Sequence, residues 1–191
     1  MNKVADIHVV TVSEISKSFD NTPVVDSISF DVKLGEIFGL IGPNGAGKTT
    51  TIRMIMDIIK PDSGEVSVLG EKLNEIPKNR IGYLPEEREL YRKLTVIDTL
   101  VYLASLKGIT SHVPRSRAEE LLKRADMLTH KKKRIEELSR GMGQLIQFLV
   151  TIIHDPQLVI LDEPFAGLNP VNTELLKDII YELRGQDYKT L

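Results

Sequence analysis

The stretch GPNGAGKT, residues 42–49, constrains the fold of this chain more than any other part of its sequence. It matches the pattern G-x-x-x-x-G-K-[ST], in which glycines let the backbone curl so that successive N–H groups point at phosphate oxygens. A short apolar run, residues 36–41, precedes it, and apolar residues at helical spacing follow it over residues 49–59. The apolar run predicts a strand buried on both faces of a parallel sheet. Strand, loop and helix in this order predict a phosphate-binding loop.

We expect the whole of this phosphate loop to contribute to binding. Lys48 would reach the β and γ phosphates of a nucleotide, and the Thr49 hydroxyl would ligate Mg²⁺. The helix that begins near Lys48 would add the positive end of its dipole. A glycine-rich turn with a surface lysine is the alternative, and the strand and helix in register argue against it. The candidate binding residues are Gly42, Pro43, Asn44, Gly45, Ala46, Gly47, Lys48, Thr49 and Thr50.

A second stretch, LVILDEP at residues 158–164, is an apolar strand pattern that ends in two carboxylates. Ligands gather at the carboxyl ends of parallel strands, so Asp162 and Glu163 are expected beside the phosphate loop. Asp162 is suited to bind Mg²⁺ through a water molecule, whereas Glu163 could polarise the water that attacks the γ-phosphate. Two adjacent acids at a strand end are usually a solvated turn. Their pairing with the phosphate loop favours a catalytic role for Glu163 together with Lys48.

The remaining pattern predicts an α/β fold with a parallel-sheet core, an N-terminal antiparallel β region and an inserted helical subdomain. Strand-like alternation before and after a turn at residues 20–23 indicates the antiparallel region. Helical patterns, one of them capped by Thr95, fill a block from about residue 87 to residue 155. The other expected elements are a hairpin-like stretch at 65–70, a strand at 81–84, helices at 96–106, 117–128 and 145–153, and a helix at 173–183.

Composition excludes several classes of protein. The 191 residues carry 25 basic and 27 acidic side chains with a net charge of −2, which leaves no footprint for nucleic acid. The basic run at residues 131–134 is best explained as a solvated loop. Cysteine is absent, which excludes disulfides and thiolate metal sites. Apolar runs stay short of the roughly 18 residues that a membrane span needs, so we expect a cytoplasmic protein whose membrane role goes through a partner.

The stretch ELSRGMGQ, residues 137–144, precedes an apolar helical pattern and taken alone would be a helix cap. The chain as a whole, however, resembles the ATP-binding subunit of an ABC transporter. Five stretches carry the resemblance, in the order GPNGAGKT, YLPEER, ELSRGMGQ, LVILDEP and FAGLNP. The resemblance covers almost the whole chain, and the third element is its diagnostic part. It implies a P-loop NTPase fold. YLPEER and FAGLNPVN most resemble subunits of ABC-2 type exporters.

The resemblance implies ATP and Mg²⁺ as cofactors and gives roles to further residues. Ser139 and the backbone at Gly141 would complete the site of ATP bound on another subunit. Phe19 would stack on adenine, and Glu86 would be a third Mg²⁺ ligand beside Thr49 and Asp162. The implied partners are a second copy or a paralogue in a head-to-tail dimer, and membrane-spanning permease subunits. The protein would then lie at the inner face of the cell membrane and bind no nucleic acid.

The sequence departs from the family pattern at several positions. Arg140 stands where glycine is usual and Met142 where glutamine is common, while Glu86 replaces a glutamine and Asn169 an aspartate. A carboxylate at position 86 can still bind Mg²⁺ but cannot donate a hydrogen bond. The family also uses a histidine as a γ-phosphate sensor. None of the four histidines, His8, His112, His130 and His154, lies in the corresponding place.

We therefore expect one ATP-binding domain over residues 1–191, apparently truncated before the strand that leads to the sensor histidine. Its expected function is ATP hydrolysis that powers export through separate membrane subunits, although the truncated chain alone would be poorly active. The alternatives are a soluble ATPase of the same superfamily acting on ribosomes or DNA, and a regulatory module that holds ATP without turnover.

Overall fold

A computed structural model of the protein describes residues 7–72, 78–86, 90–109 and 113–185. These residues divide into two compact units, one formed by residues 7–72 and the other by residues 78–185. Two elements of the sequence analysis, His112 and the start of the helical block at Glu87, lie outside the described residues. Within the described ranges, no helix combines the length and the apolar character that a membrane span requires.

The first unit is built on a four-stranded antiparallel sheet in the order β2-β1-β3-β4. Asp20 and Asn21 form the turn between β1 and β2, and both have positive φ, at 47° and 61°. This left-handed pair is the hairpin turn whose twist matches that of its flanking strands. The antiparallel region expected from the sequence is thereby confirmed. The strands are β1 (His8–Phe19), β2 (Thr22–Lys33), β3 (Ser63–Val68) and β4 (Glu71–Lys72).

One helix, α1 (Lys48–Ile55), packs against β2 and β3 of this unit. It buries one face, which includes Ile52, Met54 and Ile55, and the sheet contributes an apolar layer of valines and Ile15. Burial of that face stabilises the helix, because an eight-residue helix is marginal on its own propensity. The helix ends at Ile55, four residues earlier than the apolar spacing predicted, and a turn with Asp57 at φ 55° follows it.

The buried strand expected at residues 36–41 is wrong. Residues 37–41 belong to no strand, and Ile41 is 96% exposed. In this segment Phe38 stacks on Phe30 of β2, with ring centroids 5.0 Å apart. An apolar run shows that a segment is able to be buried, but it carries no information about which strand supplies the ladder of hydrogen bonds. The parallel pairing among the described residues occurs in the other unit.

The second unit contains a parallel pair of strands and four helices. Strands β5 (Ile81–Leu84) and β6 (Leu158–Leu161) pair residue by residue, from Ile81 with Leu158 to Leu84 with Leu161. Both strands match their predicted bounds. Gly82 is packed so closely on the carbonyl of Thr151 that a Cβ would lie 2.4 Å from it, so β5 rests directly on the helix before β6. The helices are α2 (Val96–Leu106), α3 (Val113–Arg124), α4 (Arg140–Ile152) and α5 (Pro170–Gly185).

Capping decides where these helices begin. The Thr95 hydroxyl accepts a hydrogen bond from the N–H of Asp98 at 3.2 Å, which confirms the predicted cap of α2. Helix α3 lies four residues earlier than predicted, because the chain turns at Asp126, where φ is 52°. Helix α5 begins three residues earlier than predicted, since the Asn169 side chain accepts from the N–H of Asn172 and Pro170 suits the first helical turn.

A buried histidine follows α4 in this unit. Nε2 of His154 lies 3.1 Å from the carbonyl oxygen of Ile81 at the start of β5, so the neutral ring donates there. Burial, together with the positive charges of Lys107 and Arg117, lowers the pKa of His154 to about 4. The Ile81 carbonyl and Asp155 oppose this shift. The fold therefore holds this ring in its neutral form.

We expect this histidine to make the protein less stable in mild acid. Its pKa is lower folded than unfolded, so between about pH 6.5 and pH 4 the unfolded chain binds the extra proton, and stability falls as pH falls through that window. His154→Gln, which keeps a donor for Ile81, should flatten the dependence of the unfolding midpoint on pH between 7 and 5. His130→Gln is the matched control. An unchanged slope in His154→Gln would contradict the assignment.

Candidate functional site

The phosphate loop, residues 42–49, joins residues 37–41 to α1 in the first unit. Gly47 caps α1 with φ 81°, a backbone conformation that L side chains rarely adopt. A Cβ on Gly47 would lie 2.5 Å from the carbonyl oxygen of Val24 and 2.9 Å from Cγ2 of Val25. The turn before the helix is thus pressed onto strand β2, and a residue with a side chain would push it away.

Lys48 folds back over the loop that precedes it. Its Nζ donates to the carbonyl oxygens of Gly42, at 2.9 Å, and of Pro43, at 3.1 Å. The Ala46 N–H donates to the Pro43 carbonyl at 3.2 Å, which closes the curl. The first turn of α1 contains no acidic residue, so the helix N-terminus and the ammonium group present positive charge together. Such a curl is a fit for phosphate oxygens.

Phe19 stands at the tip of the β1–β2 hairpin in the same unit. It pairs with Thr22 across the two-residue turn, and 47% of the residue is exposed. Its ring lies beneath the ammonium of Lys17, with 5.7 Å from Nζ to the ring centroid. Lys17 in turn pairs with Asp62 at 2.6 Å. The sequence analysis predicted a role for Phe19 and missed Lys17 and Asp62. Lys17 could have been found from its position two residues before Phe19, because residues i and i+2 of a strand lie on the same face.

The acidic strand end belongs to the second unit. Asp162 follows the last residue of β6 and is 3% exposed, and its N–H donates to the carbonyl oxygen of Leu84 at 2.9 Å. Glu163 is exposed, with its backbone in the left-handed region at φ 51°. A glutamate in this region is uncommon and marks a tight turn directly after the strand. The two carboxylates therefore leave the sheet in different environments, one buried and one in contact with solvent.

Glu86 leaves the sheet at the same edge. The ladder pairs Leu84 with Leu161 and continues to the Asp162 N–H, so the carboxyl ends of β5 and β6 coincide. Glu86 lies two residues beyond the end of β5 and is exposed. Parallel pairing thus brings Glu86, Asp162 and Glu163 to one end of the strand pair. Thr49, the other expected Mg²⁺ ligand, belongs to the first unit.

The elbow, residues 137–144, opens helix α4. The Ser139 hydroxyl accepts from the N–H of Met142 at 3.3 Å, so this serine is the N-cap of the helix. Ser139 is exposed and the first turn of α4 contains no acidic residue. Arg140, the departure from glycine, contributes a positive charge beside the same helix start. The elbow is therefore a capped helix N-terminus at the protein surface, with Arg140 as a positive charge in its first turn.

A second loop packs against the elbow, a relation that the sequence analysis did not predict. A Cβ on Gly141 would lie 3.0 Å from Nδ2 of Asn172. A Cβ on Gly167, which has φ 75°, would lie 2.9 Å from Nε of Arg140. The FAGLNP stretch and the start of α5 thus approach the elbow closely at two glycines. Asn169 caps α5 in this loop, so the exchange of aspartate for asparagine keeps a residue type that caps well.

Comparison with known proteins agrees with this arrangement. The family model for the ABC transporter matches residues 25–166, a range that includes the phosphate loop, the elbow and the acidic strand end. YhaQ of Bacillus subtilis, an uncharacterized ABC transporter ATP-binding protein, is 43% identical over 182 residues, covering 95% of this chain and 61% of YhaQ. The chain thus spans about three-fifths of the length of that relative.

Two further matches extend across most of both proteins. The lipopolysaccharide export system ATP-binding protein LptB of Haemophilus influenzae is 33% identical over 93% of this chain and 76% of its own length. A solved structure of the ATP-binding subunit of an ABC transporter superposes with a TM-score of 0.84 at 29% identity, over 96% of this chain and 78% of that subunit. The family match covers the phosphate loop, the elbow and the acidic strand end, and this chain belongs to the ABC transporter family of ATP-binding proteins.

Proposed function

We propose that this chain binds and hydrolyses ATP as the motor part of an ABC transporter and powers export through separate membrane-spanning subunits. The observation that carries the proposal is the phosphate loop, in which Lys48 reaches back over the curl that Gly47 fixes against β2. The exporter direction is supported by the relative LptB, which is named as the ATP-binding protein of a lipopolysaccharide export system. The working place of the protein would then be the inner face of the cell membrane.

In this proposal the phosphate loop holds the triphosphate. Lys48 and the N–H groups at the start of α1 neutralise the β and γ phosphates, and Thr49 contributes its hydroxyl to Mg²⁺. Residues 42–50 bind the phosphates mostly through their backbone. This explains why position 47 is a glycine, since a side chain there would meet the Val24 carbonyl. The phosphate contacts orient the nucleotide but do not select the base. Base recognition needs a separate surface, and Phe19 at the hairpin tip is our candidate.

Glu163 is the proposed general base, and Asp162 and Glu86 are proposed ligands for Mg²⁺. The donor chemistry fits, since Mg²⁺ is usually bound by one or two protein carboxylates together with substrate phosphates and water. Among the described residues, no three His, Cys, Asp or Glu side chains cluster as a complete metal cage. Exposure leaves the Glu163 carboxylate accessible to water, as a base that activates water requires.

The elbow is proposed to serve a nucleotide on a partner subunit. Ser139 and the backbone at Gly141 form a surface helix start whose positive end faces away from the core that α4 buries. A second copy of the chain, or a paralogue, would bring the phosphate to it in a head-to-tail dimer. Permease subunits would transmit the resulting motion. Both partners are part of this proposal.

Lys48→Ala should abolish tight MgATP binding in the full-length protein. Loss of a charged hydrogen-bond donor costs about 1.5–3 kcal/mol per contact, so we expect affinity to fall roughly 100-fold or more by calorimetry. Lys60→Ala, which removes an ion-paired lysine from the same unit, is the matched control. Near-normal affinity of a folded Lys48→Ala protein would refute the phosphate-loop assignment.

Glu163→Gln should retain ATP binding and lose turnover. The amide has the same shape but cannot accept a proton, and loss of a general base typically slows a reaction about 10²–10⁴-fold. Phosphate release and nucleotide affinity should be measured on the same preparation. Glu174→Gln, at an exposed carboxylate of α5 that pairs with Lys177, is the control. Unchanged turnover in Glu163→Gln would remove this residue from the role of base.

Ser139→Arg should separate nucleotide binding from dimerisation. The phosphate loop of the same chain is untouched, so monomer affinity for ATP should stay nearly normal, while the bulky cation fills the anion site at the elbow. Sedimentation in MgATP, made in a Glu163→Gln background where hydrolysis cannot dissolve the dimer, provides the measurement.

Ser139→Ala is the control for this experiment, because it removes only the cap that accepts from Met142 and should cost about 1 kcal/mol of stability. The cross-subunit role of the elbow predicts that Ser139→Arg impairs association much more than Ser139→Ala does. Should Ser139→Arg still dimerise on addition of ATP, that role is wrong.

A further inference from the structure

Three side chains at the tip of the β1–β2 hairpin form one connected group. Lys17 and Phe19 are two residues apart on β1 and therefore point to the same face of the strand. The Lys17 ammonium lies 5.7 Å from the centroid of the Phe19 ring and 2.6 Å from Oδ1 of Asp62. The first distance lies within the range of a cation–π interaction.

Asp62 is itself held in place by the backbone. Its Oδ2 accepts from the N–H of Ser18 at 2.7 Å, and its own N–H donates to the carbonyl of Ser16 at 2.8 Å. The hydrogen bonds from Lys17 and Ser18 lower the pKa of the Asp62 carboxyl, which keeps it charged. Only 17% of the Lys17 side chain is exposed, although it ends in a charge. The cation is therefore fixed over the ring and does not move freely in solvent.

The Phe19 ring then presents two different faces. One face receives the Lys17 ammonium, whereas 47% of the residue remains exposed. A cation over one face draws π electron density toward it and makes the other face a better partner for an electron-rich aromatic ring. A purine base is such a ring. A phenylalanine that only filled space in the hairpin would not need a fixed cation.

The hairpin tip lies close to the phosphate loop along strand β2. Phe19 pairs with Thr22, and the backbone of Gly47 presses on Val24, two residues further along the same strand. Two residues of a strand span roughly 7 Å, so the backbone of Thr22, the partner of Phe19, lies close to the start of α1 within one unit. A ligand with phosphates at one end and an aromatic ring at the other fits this spacing.

We propose that Lys17, fixed by Asp62, is a positioning residue for the adenine base: it holds the Phe19 ring and prepares its exposed face for stacking. This inference rests on the proposed function, because it requires Phe19 to be the adenine platform of an ATP site. It adds a charged pair, Lys17 and Asp62, that contributes to affinity for the base without touching the nucleotide. Binding of the phosphates does not depend on this charged pair.

The experiment compares a ligand with a base and one without. MgATP and magnesium tripolyphosphate are titrated by calorimetry into the full-length protein and into Lys17→Met, Lys17→Arg and Asp62→Asn. We expect Lys17→Met to weaken MgATP about three- to fivefold and to leave tripolyphosphate unchanged, as expected for loss of an exposed cation–π contact. Lys17→Arg keeps a cation over the ring and should restore affinity. Lys60→Met is the control, because it removes a lysine of the same unit that is ion-paired with Asp57.

A fluorescent variant reports on stacking directly. These 191 residues contain no tryptophan, so Phe19→Trp adds a reporter at the platform to a domain that otherwise has none. Its emission should change on addition of MgATP but not of tripolyphosphate, and Lys17→Met in that background should reduce the change. In a Phe19→Ala background, Lys17→Met should have no further effect on affinity, because the ring through which it acts is gone.

The outcomes separate the two levels of the proposal. If Phe19→Ala leaves MgATP affinity unchanged, the adenine platform itself is wrong. If Phe19→Ala weakens MgATP but Lys17→Met does not, the platform stands and the positioning role of Lys17 is refuted. Equal weakening of MgATP and tripolyphosphate by Lys17→Met would also overturn the inference, since it would mean that the lysine acts on phosphate or on folding.

Discussion

The contact between Gly47 and Val24 is the constraint on which the first unit depends. A helix start can bind an anion only if its N–H groups are held in place, and here the residue before α1 is pressed onto a strand backbone with no space for a Cβ. The same strand pairs with β1 and so fixes the hairpin that carries Phe19. One antiparallel sheet therefore positions both the phosphate loop and the candidate base platform. Rigid backbone, more than side chains, supplies the phosphate-binding surface.

In the second unit the corresponding constraint is the register of β5 with β6. Because Leu84 pairs with Leu161, the next residues of both strands emerge at one edge, and the Asp162 N–H extends the ladder by one bond. A shift by one residue would turn the side chain of Asp162 to the other face. The next residue, Glu163, has a left-handed backbone and is exposed to solvent. One short ladder thus gives two adjacent carboxylates different environments, which is a condition for giving them different roles.

The sequence predicted the elements whose signals are local. The hairpin turn at Asp20 and Asn21, the Thr95 cap and strands β5 and β6 follow from turn residues, caps and bounded apolar runs, and all are confirmed. The strand expected at residues 36–41 failed because pairing partners are not encoded in the run itself. The predicted start of α5 is wrong because Asn169 caps the helix, a role that its place in the family pattern does not reveal.

For the candidate site, motif order found the residues and the structure explains how they are held. The sequence carried no sign that Gly167 and Gly141 allow the FAGLNP stretch to approach the elbow, because packing between distant segments has no local pattern. Roles that need a second molecule, such as those of Ser139 and Glu163, stay predictions.

The departures at positions 140 and 169 gain a physical meaning from the same contacts. Arg140 extends along Gly167, whose φ of 75° and missing side chain leave the space for the guanidinium. A glycine at position 140 would leave this space empty, so the arginine and the glycine loop complement each other. Asn169 keeps the cap of α5 at the end of that loop without adding a negative charge next to the cation. The elbow thus combines a helix N-terminus with a nearby positive charge, and both substitutions leave its electrostatic character suited to an anion.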